Sequence, residues 1–360
     1  MKRLARIPGL KIWTMLLLLA VSLGSCNILD EEDEDCALYV RFKYDMNMLN
    51  ADAFSTNVKS LTLYVFKDGK LAYQKMEEGS LLEREGYRMR LDEIPYKQKH
   101  EYDYIVWAGV PDNNAFVVPT LAPGDPMEKL YRQIDRVQSR DGSAASEVKM
   151  NLQGLYHGMV EGASMSRAAS TMAADEVLVS LTKNTNTVRV ILQHLSGEPI
   201  NVDDFKYTIT DADNGYMNYD NTLDPDKDAE TFSEPLVYSA WDTRSGTATG
   251  VQDVTGEGQI NVAVAELSIA RLMTDKDPQL TITEKATGDI VLSIPLVDYA
   301  LMVKGNYTNA PQFGYEMPDQ EYLDREDEYT MIFFLDEGNY WMNAFIYINS
   351  WRIVLQDTEL

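Results

Sequence analysis

The chain has 360 residues, with 32 Lys and Arg against 57 Asp and Glu, giving a net charge of −25. Such a surface repels nucleic acid, whose binding depends on cations that neutralise phosphates, and excludes that class of partner. A hydrophobic share of 45% with 21 Tyr is too rich for a disordered chain and favours strands with half-buried faces.

The N-terminus opens with Lys2, Arg3, Arg6 and Lys11 and no acid, followed by an uncharged stretch from Ile12 to Leu23. A basic flank, a short apolar run and then small residues form the pattern of a secretory signal peptide. The run falls short of the roughly 20 residues that span a bilayer comfortably. It ends in Leu23-Gly24-Ser25-Cys26, which resembles a bacterial lipobox. That resemblance implies a lipoprotein signal peptide over residues 1–25 and acylation, palmitate included, of Cys26. Losing residues 1–25 removes four basic residues and no acids, so the mature net charge becomes −29. No other stretch of the sequence is apolar long enough to span a bilayer. The acyl chains on Cys26 would then be the attachment to the outer membrane, each buried CH₂ contributing roughly 0.8 kcal/mol. Cys36 is left without a disulfide partner, and the core must hold by packing.

Residues 26–36 read as a lipidated tether that contains six consecutive acids, Asp30, Glu31, Glu32, Asp33, Glu34 and Asp35. Like charges repel one another, stay solvated and hold the tether extended. Acidic runs directly behind a lipidated cysteine also resemble the signals that export Bacteroidales lipoproteins to the outside of the outer membrane.

Beyond the tether, Leu38, Val40, Phe42 and Tyr44 alternate with Tyr39, Arg41, Lys43 and Asp45, the period of a half-buried strand. Leu61 to Phe66 reads as a strand covered on both faces, and Asp68-Gly69 turns it back through Leu71 to Tyr73. Further strands are expected around Met89 and over Tyr102 to Ala108, and a helix over 127–138 with Met127, Leu130, Tyr131 and Ile134 on one face. Residues 159–176, rich in Met, Ala and Ser, read as a linker between an N-terminal sandwich at 37–158 and a C-terminal one at 177–360. In the second half, strands are expected over Val188–Leu192, Phe205–Thr210, Ile260–Val264, Leu280–Thr283, Ile290–Ile294, Tyr329–Leu335 and Ala344–Val354. Asn214-Gly215, Gly288 and Gly338 mark turns, and Leu267–Met273 and Leu296–Val303 read as short helices. Many short strands with few helices predict an all-β chain built of sandwiches.

Several runs resemble one known family. Val-Arg-Phe-Lys-Tyr at 40–44, Leu-Thr-Leu-Tyr-Val-Phe at 61–66 and Leu-Tyr-His-Gly at 155–158 resemble its first domain. Val-Arg-Val-Ile-Leu at 188–192, Asp-Asn-Gly at 213–215 and Ile-Asn-Ser-Trp at 348–351 resemble its second. The family is the FimB/Mfa-like fimbrial anchor subunits of Bacteroidales. The resemblance implies two tandem transthyretin-like β-sandwiches, fimbrial stalk subunits as partners, and a place at the base of a fimbrium, where the anchor limits filament length. Related stalk subunits lose their first strand to proteolysis and accept a neighbour's strand in the vacated groove, a case of β-strand addition. An anchor keeps its own. A cut after Arg41 would split the strand at 38–44, which favours an anchor over a stalk. A glycan-binding surface lipoprotein or tip adhesin is the alternative.

Catalytic constellations are not found in the sequence. His100, His157 and His194 are isolated, and neither zinc-ligand spacing, a phosphate loop nor a nucleophile elbow occurs. No enzyme activity, metal or cofactor is expected. Acid-rich stretches at 211–215 and 224–228 lack the Gly and distant Glu of a calcium loop and read as turns. With 57 acids, none can be nominated for glycoside hydrolysis. Tyr102, Tyr104, Trp107, Trp341 and Trp351 sit at strand spacing and read as core.

Overall fold

A computed structural model of the chain describes residues 38–91, 101–111, 114–136, 147–164, 175–211, 215–232, 234–248, 260–304, 314–348 and 355–356. It is an all-β architecture of two sandwiches with a few short helices. Strands of the first half are β1 (Leu38–Lys43), β2 (Ser60–Lys67), β3 (Lys70–Glu78), β4 (Arg88–Leu91), β5 (Glu101–Gly109), β6 (Phe116–Val117), β7 (Tyr131–Ile134), β8 (Glu147–Val148), β9 (Tyr156–Ser164), β10 (Asp175–Ser180) and β11 (Thr182–Lys183). The second half supplies β12 (Thr185–His194), β13 (Phe205–Asp211), β14 (Tyr216–Asn218), β15 (Leu236–Ser239), β16 (Asp242–Ala248), β17 (Ile260–Ala270), β18 (Gln279–Glu284), β19 (Ile290–Pro295), β20 (Glu328–Leu335), β21 (Trp341–Ile348) and β22 (Leu355–Gln356). Helices α1 (Phe54–Asn57), α2 (Pro225–Thr231), α3 (Leu296–Leu301) and α4 (Asp319–Arg325) are each two turns or fewer.

The first sandwich packs the sheet β10-β1-β4 on the sheet β11-β9-β5-β2-β3. Alternation decides which side chains meet. Leu38, Val40 and Phe42, side by side with Val177 and Val179 of β10, face Leu61, Leu63 and Val65 of β2 and Tyr104 and Val106 of β5 in one buried cluster. The β2–β3 hairpin turns on Asp68 and Gly69 at φ 52° and 72°, the left-handed pair that a two-residue turn needs. The second sandwich packs β21-β20-β12-β17-β16-β22 on β19-β18-β13-β15-β8. Its core joins Val188, Val190 and Leu192 to Leu280, Ile282, Leu292, Met331 and Phe333.

The two sandwiches interlock. β8, from the first half of the chain, pairs in parallel with β15 in the second sandwich. β10, which begins at the end of the expected linker, pairs in parallel with β1 in the first. A small sheet, β14-β7-β6, mixes both halves, and one buried cluster runs from Trp107 and Phe66 through Leu130 and Ile134 into the second core. The expected linker at 159–176 is therefore revised where it is described. Residues 159–164 are strand, paired with β5, and 175–176 open β10; residues 165–174 lie outside the described residues.

Two helix expectations are overturned. Residues 127–129 form a single 3₁₀ turn, and Tyr131–Ile134 is strand, paired on one side with β14 and on the other with β6. Arg132 and Gln133 are buried as well as Ile134, which a one-sided helix would not allow. Leu267 and Ile269 continue β17, where Glu266 and Ser268 are buried on the opposite face. Both segments are covered on two sides, which hides the strand period. The expected helix at 296–303 is present as α3.

Candidate functional site

Strand β1 is central in its sheet. It pairs with β10 from Leu38↔Asp175 to Lys43↔Ser180 and with β4 from Leu38↔Leu91 to Arg41↔Arg88. Phe42 forms a triangle of rings with Phe54, 5.8 Å away, and Tyr87, 6.2 Å away, the latter two being 6.2 Å from each other. Beyond the strand, Tyr44 sets its ring edge on Tyr156 at 5.0 Å, and its backbone N–H donates to Asp52 Oδ1 at 3.0 Å. Burial pushes the Tyr44 phenol well above its usual range, and the Asp327 carboxylate adds to the shift. Strand and following loop together fill a groove that would otherwise stand open between β4 and β10, two strand spacings wide, or about 10 Å.

The outer face of β1 is less settled. Arg41 stands directly across from Arg88, whose guanidinium lies 4.0 Å from the Tyr39 ring centroid. Arg41 reaches Glu176 at 3.9 Å, an exposed pair that contributes little.

The end of β1 abuts the junction of the sandwiches, and the Leu-Tyr-His-Gly run lies in it. Leu155 N–H donates to Thr185 Oγ1 at 3.3 Å, Tyr156 holds Tyr44, and His157 packs on Trp107 at 4.6 Å between ring centroids. His157 Nε2 donates to the Tyr219 carbonyl at 2.8 Å; a carbonyl only accepts, so the neutral ring carries its proton there. Burial drives this imidazole down to about 4. A Cβ on Gly158 would stand 2.7 Å from the Ser180 carbonyl and from Val179 Cγ1, so β9 passes this corner only without a side chain.

Charged groups close the same joint. Lys183 pairs with Asp327, and Arg325 Nη1 donates to the carbonyls of Asp45 at 3.1 Å and Asn47 at 3.3 Å, tying α4 to the chain just after β1. Glu326 is fully buried; its Oε1 accepts from the backbone N–H groups of Asp327 and Glu328, both at 3.2 Å. Burial pushes the Glu326 carboxyl up to about 8. Nearby, Asp228 takes the buried Arg136 and accepts from Gln133 Nε2 at 3.1 Å, while Asp224 caps α2 by accepting from Lys227 N–H. The acid-rich stretch at 224–228 is thus a helix start with a buried ion pair.

The expected site residues Cys26, Asp30, Glu31, Glu32, Asp33, Glu34 and Asp35 lie outside the described residues, as does His100. Among the described residues, no group of His, Cys, Asp and Glu could hold a metal ion, and no helix is long and apolar enough to cross a membrane. Sequence reading did not assign joint roles to His157, Arg325 or Glu326. The signal for His157 is the Leu-Tyr-His-Gly motif that contains it. Of the aromatics expected in the core, Tyr102, Tyr104 and Trp107 are buried, Trp341 is instead exposed with its ring edge toward Phe333, and Trp351 lies outside the described residues; Trp241 is half-buried.

These features define a β-sandwich protein built around its own first strand. Residues 32–357 match the fimbrillin-A associated anchor proteins Mfa1 and Mfa2, and the chain belongs to that family. Its place is therefore at a cell-surface fimbrium, in a family of anchors and adhesin-like structural proteins. A candidate adhesin from Bacteroides thetaiotaomicron VPI-5482 is 32% identical, with a TM-score of 0.68 over 89% of this chain and 99% of that one. A candidate polysaccharide-binding protein from the same organism is 28% identical, with a TM-score of 0.65 over 89% and 98%. The fimbrial anchor protein Mfa2 from Porphyromonas gingivalis shares the fold at 14% identity, with a TM-score of 0.57 over 89% and 99%. No curated protein matches the chain.

Proposed function

We propose that this protein is a surface-exposed outer-membrane lipoprotein that holds a fimbrium to the cell through acyl chains on Cys26 and limits its length. The observation that supports this reading is β1 in the middle of its own sheet, with both edges paired. A subunit that retains this strand leaves no vacancy there for a neighbour's strand, so it ends a filament and does not extend one. Asp30 to Asp35 would carry the export signal and keep the folded body clear of the membrane. The test mixes the purified full chain with processed stalk subunits and follows filament length. Increasing anchor should shorten the filaments; entry into filament interiors as freely as a stalk subunit overturns the reading. Cys26→Ala should abolish fatty-acid labelling and release fimbriae into the medium.

The alternative, a glycan-binding surface lipoprotein or tip adhesin, draws on the exposed Tyr340 and Trp341 and on the 28% identity to a polysaccharide-binding candidate. Oligosaccharide binding without any subunit binding would put it first.

A further inference from the structure

The second sandwich carries an unusual concentration of exposed apolar groups at the end away from the junction. β12 leaves the junction at Thr185 and β20 leaves it beside Asp327, so the loops after His194 and Leu335 lie about 30 and 25 Å further out at strand rise. Leu195 there is 57% exposed, Tyr340 73% and Trp341 37%; Ile290, in the neighbouring β18–β19 hairpin, is 65% exposed. Single exposed apolar residues are ordinary, but four at one end of one sandwich are not.

Hydrogen bonds hold the loops that display them. His194 Nε2 and Asn339 Oδ1 are 3.1 Å apart, and Asn339 Nδ2 donates to Glu284 Oε1 at 2.9 Å. Thr287 Oγ1 donates to Glu284 Oε2 at 2.8 Å, and Leu195 N–H to the Leu335 carbonyl at 2.9 Å. Three loops from two sheets are therefore fixed to one another, so binding here costs little ordering entropy.

The surroundings are acidic. Glu198, Asp289 and Glu337 are exposed and Asp336 is half-buried; of the lysines nearby, Lys285 reaches back to the Asp203 carbonyl at 2.8 Å, and Lys206, exposed across from Thr283, is outnumbered by these acids. An apolar centre with an acidic margin is complementary to an apolar surface with a basic margin. The aliphatic members favour a protein, since Leu195 and Ile290 offer a sugar ring neither a stacking plane nor a hydrogen bond.

Position points to which protein. β1 runs toward the junction, where the Lys43 carbonyl accepts the Leu181 N–H; Leu38 starts about 17 Å back, at the far end of the first sandwich. The 37 residues before Leu38, Cys26 among them, join the body at that end. We infer that this loop end of the second sandwich, with Leu195, Ile290, Tyr340 and Trp341, is the surface on which the anchor receives its fimbrial subunit, and that the subunit meets it with an apolar patch flanked by Lys or Arg. The inference rests on the anchor reading above.

The test uses the full chain in detergent and purified stalk subunits as the probe. Ile290→Ser with Tyr340→Ser, both exposed positions, should weaken subunit binding roughly tenfold or more. Leu49→Ser, 84% exposed at a different place, should not weaken it. Raising salt should lower the association rate of the wild type. A photo-crosslinker at position 340 should trap the subunit. If wild type binds subunits and the double variant binds equally well, the tip assignment is overturned while the anchor reading stands. If wild type binds no subunit, both fall. If the double variant loses retention on neutral oligosaccharides but not on subunits, the surface is a glycan site and the inference is overturned.

Discussion

Deleting residues 38–44 from the mature protein should leave it unable to hold its fold alone yet rescuable by the missing strand. Leu38, Val40, Phe42 and Tyr44 are each at most 4% exposed. Full burial of one such side chain contributes roughly 1.5 to 3 kcal/mol, so four amount to about 6 to 12 kcal/mol. A domain's net stability is about 5 to 15 kcal/mol, and the deletion also strips the pairing partners from β4 and β10. The assay is urea unfolding followed by Trp fluorescence, with and without a synthetic peptide of sequence 38–44 and with a scrambled peptide as control. The deletion should abolish the cooperative transition or shift it to much lower urea, and the authentic peptide should restore it where the scrambled one does not. A truncated protein with an unchanged midpoint and slope would refute the reasoning, because the groove would then close without its strand. Rescue by both peptides alike would show that register does not matter.

Glu326→Gln keeps an acceptor for the Asp327 and Glu328 N–H groups but removes a charge that burial opposes. The wild-type carboxyl is raised from 4.5 to about 8 in the fold, so the stability it contributes is full below about pH 4.5 and lost as pH rises through 8. The variant should match wild type at pH 5 and exceed it at pH 9 by roughly 3 to 5 kcal/mol in urea unfolding; no difference at pH 9 would remove Glu326 from the joint's electrostatics. Limited trypsin should cut at Arg167, between β9 and β10, but the two pieces should elute together without denaturant, because β10 holds β1 and β8 holds β15. Separate elution would refute the interlock. Gly215→Ala would place a Cβ 2.6 Å from Asp228 Oδ1 and against Arg136 Nη2, and disrupting that buried pair should cost about 3 to 5 kcal/mol by thermal or urea unfolding. A loss under 1 kcal/mol would mean that the pair shifts freely.

The sequence by itself determined the all-β class, the family and most strands that have one wet face. β1 was legible because Val40 and Phe42 go in while Arg41 and Lys43 stay out, and the β2–β3 turn because only Asp-Gly chemistry supplies two positive φ values cheaply. Tertiary structure decided the rest, where local pattern carries no information about distant partners. β7 and the end of β17 read as helix because both faces are covered, which erases the period of two. The segment at 159–164 read as linker because its strand character rests on pairing with β5, 50 or more residues earlier in the chain. The interlock of β8 and β10 was equally hidden, since a parallel pairing is joined by no local turn. The joint itself, with His157 donating to Tyr219, Arg325 holding the end of β1 and Glu326 buried beneath, exists only once both sandwiches have formed. Each of those side chains reads as an ordinary solvated polar group in the sequence, because burial is set by what packs against a residue and not by the residue.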